Sequence, residues 1–313
     1  MLRGVAKGAA LAAFGRVRGG PELYRTLTRR HLGTAASHVD KLQRVWPAHA
    51  REWPRLSGLV LEGARIWIHE AGATPFSAFA AFLLTGRAGV LTNTWQPLLD
   101  RYVARSVNGA LAAGFPEGAV PEERRGRLEP LRWRRDAAGA IRELGGATHI
   151  GVEPGRIPLA SESIDLCCTG GALEHYRPEA LDEFLRESHR ILRPGGIASH
   201  VFDHRDHLYH ADKKLPFLAH LALRDAAYEL AFGHPLAYHN RLTPEQVARR
   251  FERAGFERIV LRRLTLPAKR FVPDDEVCVN RPGLSRRWLA PRFRDISAAD
   301  LRTAAAHYLY RKV

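Results

Sequence analysis

The chain has 313 residues, 45% of them apolar, and a formal net charge of +15. Such a length and composition support one large or two small folded domains and exclude a chain disordered throughout. No apolar run reaches the roughly 20 residues that span a bilayer; the longest, residues 76–84, stops far short. The positive charge is largely Arg dispersed through every segment, without an RNA-binding signature or interleaved aromatic and basic residues, so no nucleic-acid partner is expected. An anionic small molecule suits it better. Three cysteines, two of them adjacent, make no disulfide framework and predict a cytoplasmic protein.

The first 20 residues are basic and contain no acid. They read as an amphipathic helix that packs on the domain, or that touches anionic lipid as a peripheral contact. Helices are predicted over 21–30 and 35–46, with Trp46 and Trp53 as packing anchors, making residues 1–57 a helical cap. A strand is expected at 64–68, then the turn His69-Glu70-Ala71-Gly72-Ala73-Thr74-Pro75. An apolar helix over 76–85, stopped by Gly86, leads to a second strand at 89–92 and to Asn93, Thr94 and Trp95. Trp95 reads more as core than as a stacking surface. A polar, Arg-rich loop and a helix near 134–144 follow.

The stretch from Glu153 to Asp206 organises the rest. Ile164, Leu166, Cys167 and Cys168 form a short apolar strand ending at Gly170-Gly171, with both cysteines as small core residues. Pro178 opens a helix in which Leu181, Phe184, Leu185, Ser188 and Ile191 recur at helical spacing. Arg193-Pro194-Gly195-Gly196 stops it, and the chain re-enters an extended run at 197–202. Strand, crossover helix and strand imply a right-handed parallel unit with its ligand beyond the carboxyl ends of the strands. Those ends carry Gly170, Gly171, Glu174 and His175 on one side, and Asp203, His204, Asp206 and His207 on the other.

With Glu153, Ile157-Pro158-Leu159, Ile164-Asp165-Leu166-Cys167, Leu173-Glu174-His175 and Arg190-Ile191-Leu192-Arg193-Pro194-Gly195-Gly196, the segment resembles the later motifs of class I S-adenosylmethionine-dependent methyltransferases, of the type 11-like kind. The resemblance implies an α/β fold: a Rossmann-like, seven-stranded methyltransferase sheet with helices on both faces, over residues 58–270. It implies S-adenosylmethionine as cofactor, held at Glu70, Gly72, Asn93, Glu153 and Gly170. It implies O- or N-methylation of a small or carrier-linked metabolite. Two positions depart from the family pattern. The first loop should read as an acidic residue before Gly-x-Gly. One register puts Glu70 at the acid and Gly72 at the first glycine; another puts Ile68 at the acid and Gly72 at the second, and either lacks one glycine. The second strand should end in an acid that accepts the ribose hydroxyls, and Asn93 stands there instead. These departures support an alternative, a degenerate relative that keeps the fold without methyl transfer and serves as a cyclase, binding or regulatory subunit.

The run His200-Val201-Phe202-Asp203-His204-Arg205-Asp206-His207 and beyond is dense in His and Asp, but its spacing matches no metal-ligand template, and no metal is expected. It reads as a polar acceptor pocket in which His175, Asp203 and His207 are the catalytic candidates and Asp206 helps to orient the acceptor. Residues 213–239 read as a helical insertion. Asn240-Arg241 resembles a segment that helps to close the acceptor site in related methyltransferases, and Arg241 could hold a carboxylate or phosphate by a forked contact. Thr243, with Pro244 and Gln246 behind it, caps a helix before a strand at 259–264. Residues 271–313 read as a carboxy-terminal extension with a further helix from Pro291.

Overall fold

The computed structural model describes residues 34–95, 97–234, 236–265, 270–273 and 284–313, with a few isolated positions between 13 and 19. The helix expected at 21–30, most of the basic amino-terminal segment and Cys278 lie outside the described residues. In chain order the principal elements are α1 Thr34–Ser57, β1 Ile66–His69, α2 Phe76–Thr85, β2 Val90–Asn93, α3 Val103–Leu111, α4 Glu122–Leu128, α5 Ala137–Glu143, β3 Ala147–Ile150, β4 Ile164–Gly170, α6 Pro178–Ile191, β5 Leu192–Asp203, α7 His207–Ala211, α8 Asp225–Phe232, α9 Pro244–Arg253, β6 Phe256–Thr265, β7 Arg270–Pro273 and β8 Thr303–Lys312.

The strands form one sheet in the order β3-β2-β1-β4-β5-β8-β6-β7. β3, β2, β1, β4 and β5 run parallel, and β8 runs antiparallel between β5 and β6. This is the expected Rossmann-like methyltransferase sheet with one strand more, the short edge strand β7. The stripe predicted for α6 buries Leu181, Phe184, Leu185, Ser188 and Ile191 against it. Every residue of α2 is buried, as an apolar sequence without a polar face requires. Gly86 ends α2 at φ 83°, donating its N–H to the Phe82 carbonyl at 2.8 Å. Arg193 to Gly196 act differently from a plain stop. Pairing passes from Ile164–Leu192 to Leu166–Ile197, so the four residues leave the register as a bulge, with Gly195 at φ 75°.

The carboxy terminus corrects the sequence reading. From Pro291 there is no further helix but two single 3-10 turns, Pro291–Phe293 and Asp300–Arg302, followed by β8. The sheet therefore extends past residue 270. Nine of the ten residues of β8 are buried, so the strand shows no in–out alternation, and its Ala run looks helical. Tyr308 and Tyr310 of β8 stack on Phe251 of α9 with centroids 5.7 and 4.6 Å apart. Helix α1 also outruns its expected end at 46, reaching Ser57 despite Pro47 and Pro54. It crosses the carboxyl ends of the strands, where Trp53 Nε1 donates to Ser199 Oγ at 2.9 Å and meets Trp46 edge-on at 5.7 Å. Trp46 and Trp53 are both buried, as anchors should be.

Candidate functional site

The backbone of the turn after β1 agrees with the second of the two registers the sequence leaves open. Glu70 lies at φ 51°, in the left-handed region that glycine enters freely, so it occupies a glycine position of the turn, and Gly72 at φ 77° supplies the next one. Ile68, buried within β1, stands where the acid would be. The turn is braced by Asn93, whose Oδ1 accepts the Gly72 N–H at 3.2 Å and whose Nδ2 donates to the Gly72 carbonyl at 3.1 Å. Asn93 is fully buried, and its backbone carbonyl takes the N–H groups of Gly151 and Val152. Gly72 and Asn93, two of the residues expected to meet the cofactor, thus satisfy each other. The Glu70 carboxylate instead reaches the tip of β2, where Oε1 accepts the Thr94 N–H at 2.9 Å. Burial raises its pKa, opposed by the Thr94 hydrogen bonds. A carboxylate thus lies at the tip of β2, but it comes from the β1 turn. Glu153 is exposed beside Arg156, and Trp95 is 43% exposed rather than core.

Two cavities sit beneath α1 at the carboxyl ends of the strands and share Leu42, Val45, His49 and Gly170 in their walls. The first, of about 60 Å³, lies at Ile68, Glu70 and Ala71 against Trp53. The second, of about 570 Å³, lies between α1 and the tips of β4, β5, β6 and β8, and includes Gly171, Glu174, Asp203 and Arg205. A Cβ added at Gly170 would meet nothing within 4 Å, which leaves the seam between them open.

Asp203 faces this second cavity but is bound up with Arg205, at 2.8 and 2.7 Å, and with His210 at 3.2 Å. Burial would raise its pKa, yet these partners outweigh burial and hold it below the usual carboxylate range. Glu174 is the opposite case. It is 3% exposed, its Oε2 has no partner, and burial, helped by the Asp203 charge and opposed by backbone hydrogen bonds from Glu174 and Asp203, raises it to about 8. The sequence motif pointed to this residue without marking it as the unusual one. His175 and His207 stand beside it, rings 4.7 Å apart, and ligand atoms of Glu174, His175 and His207 all lie within 4.8 Å of one another. Burial lowers His207 to about 2, with the His239 and His175 rings adding to the effect, so it is a neutral imidazole and a weak base.

The remaining candidates are elsewhere. Asp206 caps α7 by accepting the Leu208 N–H at 2.8 Å. Asn240 braces the turn that carries Glu174, donating from Nδ2 to the carbonyls of Leu173 at 3.1 Å and Tyr176 at 3.0 Å. Arg241 is not brought to the cleft. Its guanidinium pairs with Asp225, lies over the Tyr228 ring, and lines a separate cavity of about 750 Å³ with Tyr238, Arg250 and Arg292. The buried thiols of Cys167 and Cys168 are pushed up by desolvation, Cys168 to about 12, and are core residues.

Residues 138–199 match the family model of a methyltransferase domain. No curated protein matches the chain. Among solved structures it is similar to an S-adenosylmethionine-dependent methyltransferase from Mesorhizobium loti, with 15% identity over 83% of this chain and 97% of that one, at a TM-score of 0.41. A geranyl diphosphate methyltransferase in complex with GPP and sinefungin is 11% identical over 85% and 78% of the two chains, at 0.44. The 4+2 cyclase SpnF is 15% identical over 85% and 81%, at 0.43. No described helix is long and apolar enough to cross a membrane.

Proposed function

We propose that this chain, which belongs to the class I S-adenosylmethionine-dependent methyltransferase family, methylates an oxygen or nitrogen of a small molecule bound beneath α1. One observation carries the reading: a cavity of about 570 Å³, the size of a small-molecule site, opens at the carboxyl ends of β4 and β5 with Glu174 in its wall, one of whose carboxylate oxygens, Oε2, has no partner. S-adenosylmethionine supplies an electrophilic methyl carbon and leaves with the electron pair of its carbon–sulfur bond. The chain's residues fit it along Glu70, Ala71 and the open seam at Gly170, where the Glu70 carboxylate can accept hydroxyl hydrogen bonds that Asn93, occupied by Gly72, does not. Room for the nucleoside requires α1 to move outward, because the cavity at Glu70 holds a few waters as it stands. Glu174 orients the acceptor by taking its hydrogen bond, and receives the proton lost as the new bond forms. Helix α1 excludes water from the pair, and proximity supplies most of the rate. Lys41 and Arg44 in the same wall suit an anionic acceptor, whereas Arg262 there is paired with Glu52.

The test is calorimetry with S-adenosylmethionine and S-adenosylhomocysteine on the native chain and on Gly170→Trp. The substitution fills the seam, so the native chain should bind both ligands and the variant, checked for folding by circular dichroism, neither. Failure of the native chain to bind either ligand at millimolar concentration removes the reading. It would favour the second one, a fold kept without methyl transfer, for which the Asn93–Gly72 pairing and the small cavity at Glu70 speak.

A further inference from the structure

We propose that Glu174, His175 and His207 hold a divalent transition-metal ion of the zinc class at the edge of the cleft. One ligand atom from each lies within 4.8 Å of the others, giving one carboxylate oxygen and two imidazole nitrogens. Two imidazoles and a carboxylate are a donor set that zinc accepts while keeping a fourth position open. Independently of that grouping, Glu174 is 3% exposed and its Oε2 has no hydrogen-bond partner, an arrangement that costs stability unless something cationic or protic completes it.

The supports behind the three residues are those of a prepared site. His175 Nδ1 lies 3.0 Å from the Tyr238 carbonyl, which fixes the proton on Nδ1 and leaves the Nε2 lone pair free to bind. The turn bearing Glu174 and His175 is tied down by Asn240, whose N–H donates to the Glu174 carbonyl at 2.6 Å and whose side chain holds the carbonyls of Leu173 and Tyr176. His207 is placed by the Asp206 cap at the first residue of α7. Asn240 and Asp206, which do not face the acceptor cavity, thereby act as positioning residues for the ligands.

For the acceptor, the inference rests on the methyl-transfer reading. With the cation bound, the open coordination position would take an oxygen donor of the acceptor, such as a phenol or a hydroxy acid, whose proton passes to solvent because Glu174 then serves as a ligand and no longer as the base. Cation and proton are then alternatives at the same Glu174 oxygen. The binding of the cation itself does not depend on that reading.

The experiment uses the full chain, freed of metal by dialysis against chelator, titrated with zinc(II) by calorimetry and with cobalt(II) by visible absorption. One equivalent should bind, with the intense cobalt bands of a low-coordinate site. Glu174→Gln, His175→Ala and His207→Ala should each weaken binding by more than the roughly 10- to 100-fold that loss of a supporting contact costs. Circular dichroism checks folding, and the exposed His175 supplies the variant that keeps the fold if Glu174→Gln does not. Absence of saturable binding overturns the proposal, as does binding unchanged by His175→Ala and His207→Ala. Cofactor calorimetry on the same samples separates the two readings. Cofactor binding without metal sinks only this inference, and metal binding without cofactor sinks only methyl transfer.

Discussion

Asn93 does two things at once for the turn after β1, because a single amide offers both an acceptor and a donor to the Gly72 backbone. A carboxylate offers only acceptors. Asn93→Asp, which would restore the acid usual at that strand end, should therefore destabilise the fold, since the Gly72 carbonyl loses its donor within a buried site. Asn93→Ala should lose both bonds and cost about 1–3 kcal/mol per unsatisfied group, read as a shift in urea midpoint. A midpoint unchanged in both variants would mean that the reciprocal pair carries no weight. The same logic separates the acids of the cleft. Asp203 has partners and is held ionised, whereas Glu174 has an empty oxygen, and only the second is available to a ligand.

Elements in this fold are held where their ends are pinned. β8 enters the centre of the sheet from the turn Asp300–Arg302, and Asp300 pairs there with Arg263 of β6 at 2.6 Å, both side chains being at most 4% exposed. Removing one member of a buried pair leaves the other charge desolvated. Asp300→Ala should therefore cost roughly 3–5 kcal/mol of unfolding free energy, more than any exposed Arg–Glu pair on α6 or α9. A loss below about 1 kcal/mol would show that Arg263 finds other compensation. The α6–β5 junction works in the other direction. Its Arg-Pro-Gly-Gly sequence ends the helix and is then absorbed as a bulge, so that the tip of β5 reaches the cleft with Asp203 in place.

Across the whole molecule, the sheet and α1 enclose several histidines as neutral rings. Burial lowers His49 to about 4, and His69 and His200 to about 3, all from 6.5. The unfolded chain binds protons at these positions as pH falls below 6.5, and the folded chain refuses them. Their contribution is thus fully present above pH 6.5 and is lost progressively as pH falls toward 3. Each such ring costs about 1.4 kcal/mol per pH unit within that window. The melting temperature should fall clearly between about pH 7.5 and about pH 5, and His200→Gln should flatten the fall. A melting temperature that holds constant over that range would mean that these rings are solvated.

The amino-acid sequence by itself determined the parallel half of the fold. Ile164 to Gly170, the stripe of α6 and the Gly-rich bulge at the start of β5 are local patterns whose hydrophobic period and breakers read directly as strand, helix and strand. Only the tertiary structure decided β8, because a strand buried on both faces shows no alternation, and its place between β5 and β6 rests on pairing across more than a hundred residues in one case. It also decided which of the many acids and histidines meet. Glu174 and His207 are far apart in spacing rules and adjacent in space, Arg241 is near the cleft in sequence and turned to Asp225, and Glu70 reaches from the β1 turn to the tip of β2. Side-chain burial and the crossing of distant loops set those outcomes, and neither leaves a period along the chain.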